Sequence, residues 1–325
     1  MTGKPIFELD RHRVFVAGHR GMVGSAIVRR LEIEDCEILT ADHKDVDLTR
    51  QAETESYFAE TKPNVVFMAA GRVGGIYANS TFPVDFLRDN LMIGLNLISA
   101  AHRHRVRKLV YLGSSCIYPR LAPQPMTEEM LLSGPLEPTN QWYATAKIAS
   151  IKLCQAYRQQ DASDYIALMP TNLYGPGDNY HPENSHVAAA LLARIHDAKI
   201  VGAPTVTVWG TGKPLREFLY VDDLADACVF ALKHYSGDSI LNVGSSEELS
   251  VSELAGLVSE TVGYGGELVF DSSRPDGTPR KLLDSSRLEG LGWTAKTKLR
   301  DGLRETYGDF LANGGRYRRP SAPST

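Results

Sequence analysis

The sequence predicts an α/β protein: a doubly wound parallel sheet forming a first, larger unit, followed by a smaller C-terminal lobe. Three observations carry this. Short β-branched runs alternate with stretches of helical apolar spacing over the first half of the chain, a glycine-rich turn follows the first run, and the alternation loosens after Tyr174. Alternating strand and helix signals imply parallel strands with helices on both faces of the sheet.

The elements follow in order. Residues 13–17 form a β-branched run that breaks into Gly18, and residues 22–32 then carry apolar side chains at helical spacing, which reads as strand, tight turn and helix. The pattern recurs as a strand over 36–39, a helix over 50–60, a strand over 65–69 and a longer helix over 86–103. Residues 108–112, a helix over 143–158 and residues 165–169 continue the series as its fifth and sixth strands, completing a Rossmann-type unit. Beyond Tyr174 come Gly175, Pro176, Gly177 and a polar loop, then a helix over 186–198 and short strands near Val206 and Phe218. A strand over 240–243 reads as a return to the main sheet. The expected division is therefore 1–175, with returning segments near 218–245, as the dinucleotide-binding unit, and 176–313 as mainly the substrate lobe. The tail over 314–325 lacks apolar periodicity and is expected to be disordered.

Of the 325 residues, 43% are hydrophobic and 23% charged, near the average for soluble globular proteins, so neither a disordered nor a membrane class is favoured. The net charge of -4 argues against a nucleic-acid surface, which needs a basic excess. Cys36, Cys116, Cys154 and Cys228 show no metal-ligand spacing, and no apolar leader precedes the first strand; a reducing cytoplasm fits this pattern. No metal and no membrane segment are expected.

The turn Gly18-His19-Arg20-Gly21-Met22-Val23-Gly24 places three glycines at intervals of three between a strand and a helix. That context separates it from an ordinary glycine-rich turn: the glycines allow close backbone approach, and the helix N-terminus offers free N–H groups to a pyrophosphate. Cofactor choice rests on the end of the second strand. Arg20, with His43 and Lys44, favours a ribose 2′-phosphate, while Asp42 is suited to a 2′-hydroxyl; the cations favour NADP. Asp47 and Leu48, and Ala69, Ala70 and Gly71, fall where the adenine and its ribose should lie.

Tyr143 and Lys147 are four residues apart, hence on one helical face. A nearby ammonium stabilises a phenolate, so the phenol is expected to be pulled toward neutral pH and to exchange a proton with a sugar oxygen as hydride moves. The preceding strand ends in Leu112-Gly113-Ser114-Ser115-Cys116 at the carboxyl edge, where ligands bind in such sheets. If the chain stays extended there, Ser114 and Cys116 project to one side. An inert, buried role for Cys116 is the ordinary alternative.

With these features the sequence resembles the extended short-chain dehydrogenase/reductase superfamily over nearly its whole length. Within it, the glycine turn, Leu112 to Pro119, Met169 to Pro176, Asn184-Ser185-His186-Val187, Arg216-Glu217-Phe218 and Pro275 to Lys281 are similar to the GDP-L-fucose synthase family. That family epimerises C3 and C5 of GDP-4-keto-6-deoxy-D-mannose and reduces C4 with NADPH. The resemblance implies that Ser114, Tyr143 and Lys147 are the reductase set and Cys116 and His186 the epimerisation pair. It implies that Leu112, Gly113, Ser114, Ser115, Pro170, Thr171, Asn172, Leu173 and His186 border the cofactor. It also implies that Asn172, Arg194, Trp209, Arg216, Asp276 and Lys281 hold the GDP-sugar, in a homodimer pairing helices over 89–101 and 148–157. Arg194 as a solvated helix residue and Trp209 as simple core are the plainer alternatives.

Two departures stand out. Trp142 precedes Tyr143 where a smaller residue is commoner, and residues 40–44 lack an arginine that many relatives place near the 2′-phosphate. Related dehydratases carry an Asp-Glu pair where this chain has Ser115-Cys116. A C4-ketoreductase without epimerase activity would account for every residue except Cys116 and His186. A catalytically silent NADP-sensing module need not keep the Ser-Tyr-Lys set, and all three are present.

Overall fold

The computed structural model describes residues 4–181, 185–274 and 276–314. Asn184, Pro275 and the tail from 315 onward, all named above, lie outside the described residues. The main sheet is built from β1 (His12–Ala17), β2 (Cys36–Leu39), β3 (Val65–Met68), β4 (Lys108–Leu112), β5 (Asp164–Pro170) and, far along the chain, β9 (Leu241–Val243), in the order β2-β1-β3-β4-β5-β9. Every pairing in it is parallel. The chain steps from β1 outward to β2 and then back across to β3. This reversal opens the crevice at the carboxyl ends of β1 and β3.

The strand ending at Leu112 is the fourth in chain order and Asp164–Pro170 the fifth, each one earlier than the sequence series numbers them. The runs over 13–17, 36–39 and 65–69 already make 108–112 the fourth strand, so its numbering as the fifth, and that of 165–169 as the sixth, is corrected. Between Met68 and Lys108 the chain forms two consecutive helices, α3 (Ile76–Thr81) and α4 (Pro83–Arg103), after α1 (Met22–Leu31) and α2 (Gln51–Thr61) earlier in the chain. Pro83 starts α4 at its first position, where the missing N–H costs nothing.

Strand alternation sorts the core into two layers. Val14, Val16, Val65, Phe67 and Val110 pack with Ala26, Ile27 and Leu31 of α1, whereas Phe15, Ala17, Val66, Met68 and Leu109 pack with Phe58, Leu97 and Ile151 on the opposite face. Successive strand residues point to opposite faces, so an uninterrupted apolar run such as Val65–Met68 serves both layers. The helix α5 (Gln141–Asp161) lies beside α4 on the second face.

After β6 (Asn172–Tyr174) the chain forms α6 (Val187–Val201), β7 (Thr205–Trp209), β8 (Leu215–Tyr220) and α7 (Val221–His234); α7 packs against α1 on the first face of the main sheet. Beyond β9 come β10 (Glu248–Ser250), α8 (Val251–Val262), β11 (Glu267–Asp271), β12 (Arg280–Lys281), α9 (Ser286–Gly290) and α10 (Leu299–Ala312). The strand β8 pairs with β6, β10 and β12, while β7 pairs with β11. Leu192 and Ile195 of α6, Leu254 and Val258 of α8 and Phe310 of α10 form their core. A capping box between Ser250 and Glu253 starts α8, and Gly263 at φ +72° ends it. No helix among the described residues is long and apolar enough to cross a membrane.

Candidate active site

The glycine turn joins β1 to α1. Gly18 sits at φ +86°, and a Cβ there would stand 2.7 Å from Ala70 Cα; a Cβ on Gly24 would stand 2.1 Å from Gly18 O. Neither site tolerates a side chain. The turn thus presses against the Ala69–Ala70 segment after β3, and Met22 and Val23 lean on the first core layer. The N-terminus of α1, at Gly21, has no side-chain cap, which leaves its amide groups for an anion. His19 Nδ1 is buried without a partner. A crowded glycine cradle, an uncapped helix end and an orphaned polar atom fit a dinucleotide.

The end of β2 is arranged differently from expectation. Asp42 accepts from Arg20 Nη2 at 2.5 Å and faces His19 Nε2 at 3.3 Å, so the acid and the cation weighed against one another above form one clasp. Arg20 remains largely exposed, and His43 and Lys44 are exposed beside it. Asp47 bonds within its own turn: its Oδ1 accepts from Thr49 N at 2.9 Å and Thr49 Oγ1 at 2.7 Å. Asn96 Nδ2 holds the Leu48 carbonyl at 3.0 Å.

At the end of β4 the chain does not stay extended. Ser115–Ile117 is a 3-10 turn, and Ser114 Oγ caps it by accepting from Cys116 N at 3.3 Å. Ser114 and Cys116 therefore meet through a tight turn rather than through strand alternation. Gly113 lets β4 approach β5, since a Cβ would stand 2.4 Å from Met169 Sδ.

Tyr143 and Lys147 are buried on the α5 face turned to this turn. The Tyr143 phenol is raised above its usual range by burial and by Cys116, against the hydrogen bond with Ser114. Lys147 Nζ donates to Leu112 O at 2.8 Å and lies 5.7 Å from the Tyr143 ring centroid. Burial pulls its ammonium down to about 8. The expectation that Lys147 draws the phenol toward neutral pH is corrected: desolvation dominates both groups, and the ammonium is bound to a carbonyl.

Beyond β5, Pro170 closes the strand, Thr171 Oγ1 and Asn172 Nδ2 donate to Glu217 O at 3.3 and 2.8 Å, and Leu173 pairs in register with Leu219. His186 precedes α6 and is exposed; desolvation by the protein around its ring and then the charge of Lys281 lower its imidazole below 6.5. Lys281 Nζ donates to Cys116 Sγ at 3.3 Å. Ser114, Cys116, Tyr143, Lys147 and Lys281 are thus brought together, with His186 within electrostatic reach of Lys281.

The remaining predicted residues lie on α6, β7 and β8 and in the segment ahead of β12. Trp209 is exposed, not core, and carries two guanidinium groups near its ring, Arg194 at 5.0 Å and Arg274 at 5.1 Å. Arg194 is fixed as well, donating to Thr207 O at 2.9 Å. Arg216 Nη2 reaches Asp276 O at 3.3 Å, and burial lowers its pKa. The Asp276 carboxylate is engaged with Thr211 N at 2.7 Å and Thr211 Oγ1 at 2.8 Å, so it orders the turn there. Sequence reasoning missed Arg274, whose only signal is a cation beside the Asp276 segment, and gave no role to Glu217, a charged residue within an apolar strand.

Residues 14–244 match the model of the NAD dependent epimerase/dehydratase family. The chain is 59% identical over 302 residues to GDP-L-fucose synthase 1 of Arabidopsis thaliana, covering 93% of this chain and 94% of that protein. It is 50% identical to GDP-L-fucose synthase of Escherichia coli K12, over 95% of this chain and 100% of the relative. A solved GDP-L-fucose synthetase from Naegleria fowleri, bound to NADP, superposes with a TM-score of 0.90 at 27% identity, covering 98% of this chain and 99% of that one.

Proposed function

Because the chain belongs to the NAD dependent epimerase/dehydratase family, and within it to the GDP-L-fucose synthases, we infer that it epimerises C3 and C5 of GDP-4-keto-6-deoxy-D-mannose and reduces C4 to give GDP-L-fucose. The cofactor is NADP. Reduced nicotinamide supplies the hydride; the chain's own groups do the rest. Ser114 and Tyr143 share a hydrogen bond and can both meet the C4 oxygen. Tyr143, held protonated by its burial, gives that oxygen a proton, and Lys147 bears on the phenol while fixed to the Leu112 carbonyl. The observation that most supports epimerisation is Cys116, a thiol beside Ser114 with Lys281 on its sulfur.

Trp209 with Arg194 and Arg274, and Arg216, are well suited to a guanine nucleotide diphosphate, because guanidinium groups stack on flat rings and bind phosphate oxygens bidentately. A cytoplasmic homodimer assembled through α4 and α5 belongs to the same proposal; Leu95 and Trp142 on these helices stay exposed.

Incubation with NADPH and GDP-4-keto-6-deoxy-D-mannose should consume reduced cofactor, followed by its absorbance, and yield GDP-L-fucose as the identified sugar. A C4-reduced product with unchanged C3 and C5 would establish the simpler ketoreductase instead. For the cofactor, Arg20→Ala is expected to lose about 10- to 100-fold of the preference for NADPH over NADH in kcat/KM, the worth of one charge-assisted hydrogen bond of roughly 1.5–3 kcal/mol. Asp42→Asn should act oppositely, since the Asp42 carboxylate competes with a 2′-phosphate for Arg20. Equal efficiency of the parent protein with both cofactors would remove this assignment.

A further inference from the structure

Glu217 takes no part in the chemistry described above, yet it ties three functional segments together. It lies in β8 next to Arg216, wholly buried. Its Oε1 accepts from Ser246 N at 2.8 Å and its Oε2 from Leu283 N at 3.1 Å. Among the described residues no Lys or Arg forms an ion pair with it; burial raises its pKa, opposed by hydrogen bonds from the Leu283, Ser246 and Ser245 amides and the Thr171 hydroxyl. Burying such a charge without a cation is costly, and a β-branched apolar residue would serve a strand interior better. Gly244 accommodates it: a Cβ there would stand 2.2 Å from Glu217 Oε1.

What the carboxylate holds gives the reason. In the short parallel ladder between β12 and β8, Lys281 is in register with Arg216, and Leu283 lies two residues past Lys281. The carboxylate therefore fixes the segment just beyond the ammonium that donates to Cys116 Sγ. Independently, the Glu217 main-chain carbonyl accepts from Thr171 and Asn172.

We propose that Glu217 is a positioning residue for epimerisation: its carboxylate, by holding Leu283 N–H, keeps Lys281 directed at Cys116. This rests on the reading of Cys116 as an acid/base group. In Glu217→Gln one acceptor oxygen becomes an NH2 facing a main-chain N–H, while the main-chain carbonyl that serves Asn172 is unchanged. In Gly244→Ala a methyl pushes on the carboxylate directly.

The test uses the full chain and four readouts: deuterium uptake at C3 and C5 in heavy water, hydride transfer to the already epimerised keto sugar, NADPH binding, and iodoacetamide alkylation of Cys116 followed by mass spectrometry. Each variant should slow deuterium uptake and Cys116 alkylation at pH 7 by about tenfold, because sulfur reactivity follows its cationic neighbour, with hydride transfer and NADPH binding unchanged. Proportional loss of deuterium uptake and hydride transfer, unchanged alkylation, or failure of both variants to be recovered folded and NADPH-binding would each overturn the proposal. If Cys116→Ser kept full deuterium uptake, the epimerase reading would fail by itself; the alkylation rate would still decide whether Glu217 governs the Lys281–Cys116 contact.

Discussion

Tyr143→Phe is expected to slow reduction of the keto sugar by about 10²–10⁴-fold, the usual worth of a positioned general acid, while leaving NADPH affinity unchanged. The substitution removes one oxygen. The ring keeps its place among Ala78, Phe86 and Cys116, and Lys147 keeps its bond to Leu112 O. Burial keeps the phenol protonated across the whole working pH range, so the basic limb of the pH–rate profile should not belong to Tyr143. It should follow Lys147, whose ammonium is pulled down to about 8: reduction should fall as pH rises through that value. Lys147→Ala should remove this limb and lower both the rate and NADPH affinity. Stopped-flow absorbance of NADPH, with a separate binding titration, reads all of this; a Tyr143→Phe variant reducing at the parent rate would exclude the phenol as the proton donor.

How much of this site can be read from the chain depends on how local each feature is. The Gly18–Gly24 turn is legible because strand, turn and helix are contiguous, and the spacing of Tyr143 and Lys147 by the helical repeat places them on one face. The two core layers follow from alternation along β1 and β3. Between 65 and 112 the strands are legible, whereas the short helix α3 ahead of α4 is not. The turn at Ser115–Ile117 is likewise hidden: Ser114 and Cys116 satisfy either an extended or a 3-10 reading until the Ser114 cap decides.

Contacts that close over long separations carry no local signature. Lys281 meets Cys116 across 165 residues, and Glu217 holds Leu283 across 66. Asp42 and Arg20 look like alternatives in sequence and are partners in space. The resemblance implies that Arg194 and Trp209 hold the GDP-sugar, with solvent and core as the plainer alternatives, and Trp209 is exposed with Arg194 and Arg274 both near its ring.

Cys116→Ser and His186→Asn are each expected to slow deuterium uptake at C3 and C5 by about 10²–10⁴-fold, as loss of an acid/base group does, while hydride transfer to the already epimerised keto sugar survives. Protons at C3 and C5 are acidified by the C4 ketone, because the carbanion delocalises into an enolate. Ser114 and Tyr143 supply hydrogen bonds where that oxygen's charge develops. Inversion takes a proton from one face of the ring and returns one to the other, which calls for two groups. Cys116 meets the first requirement with the Lys281 ammonium on its sulfur, the partner that negative charge there needs. His186 meets the second as a neutral imidazole, since desolvation and the Lys281 charge hold it below 6.5. The direction of that shift fixes a pH dependence. A lowered imidazole pKa keeps the proton acceptor available as pH falls, so deuterium uptake should persist below pH 6.5 and be lost only as the imidazole finally protonates. Lys281→Met should move that loss toward higher pH, because the opposing charge is gone. Proton NMR in heavy water, sampled before NADPH is added, separates exchange from reduction. Uptake at the parent rate in both Cys116→Ser and His186→Asn would dissolve the pair and leave a C4-ketoreductase as the better description of this chain.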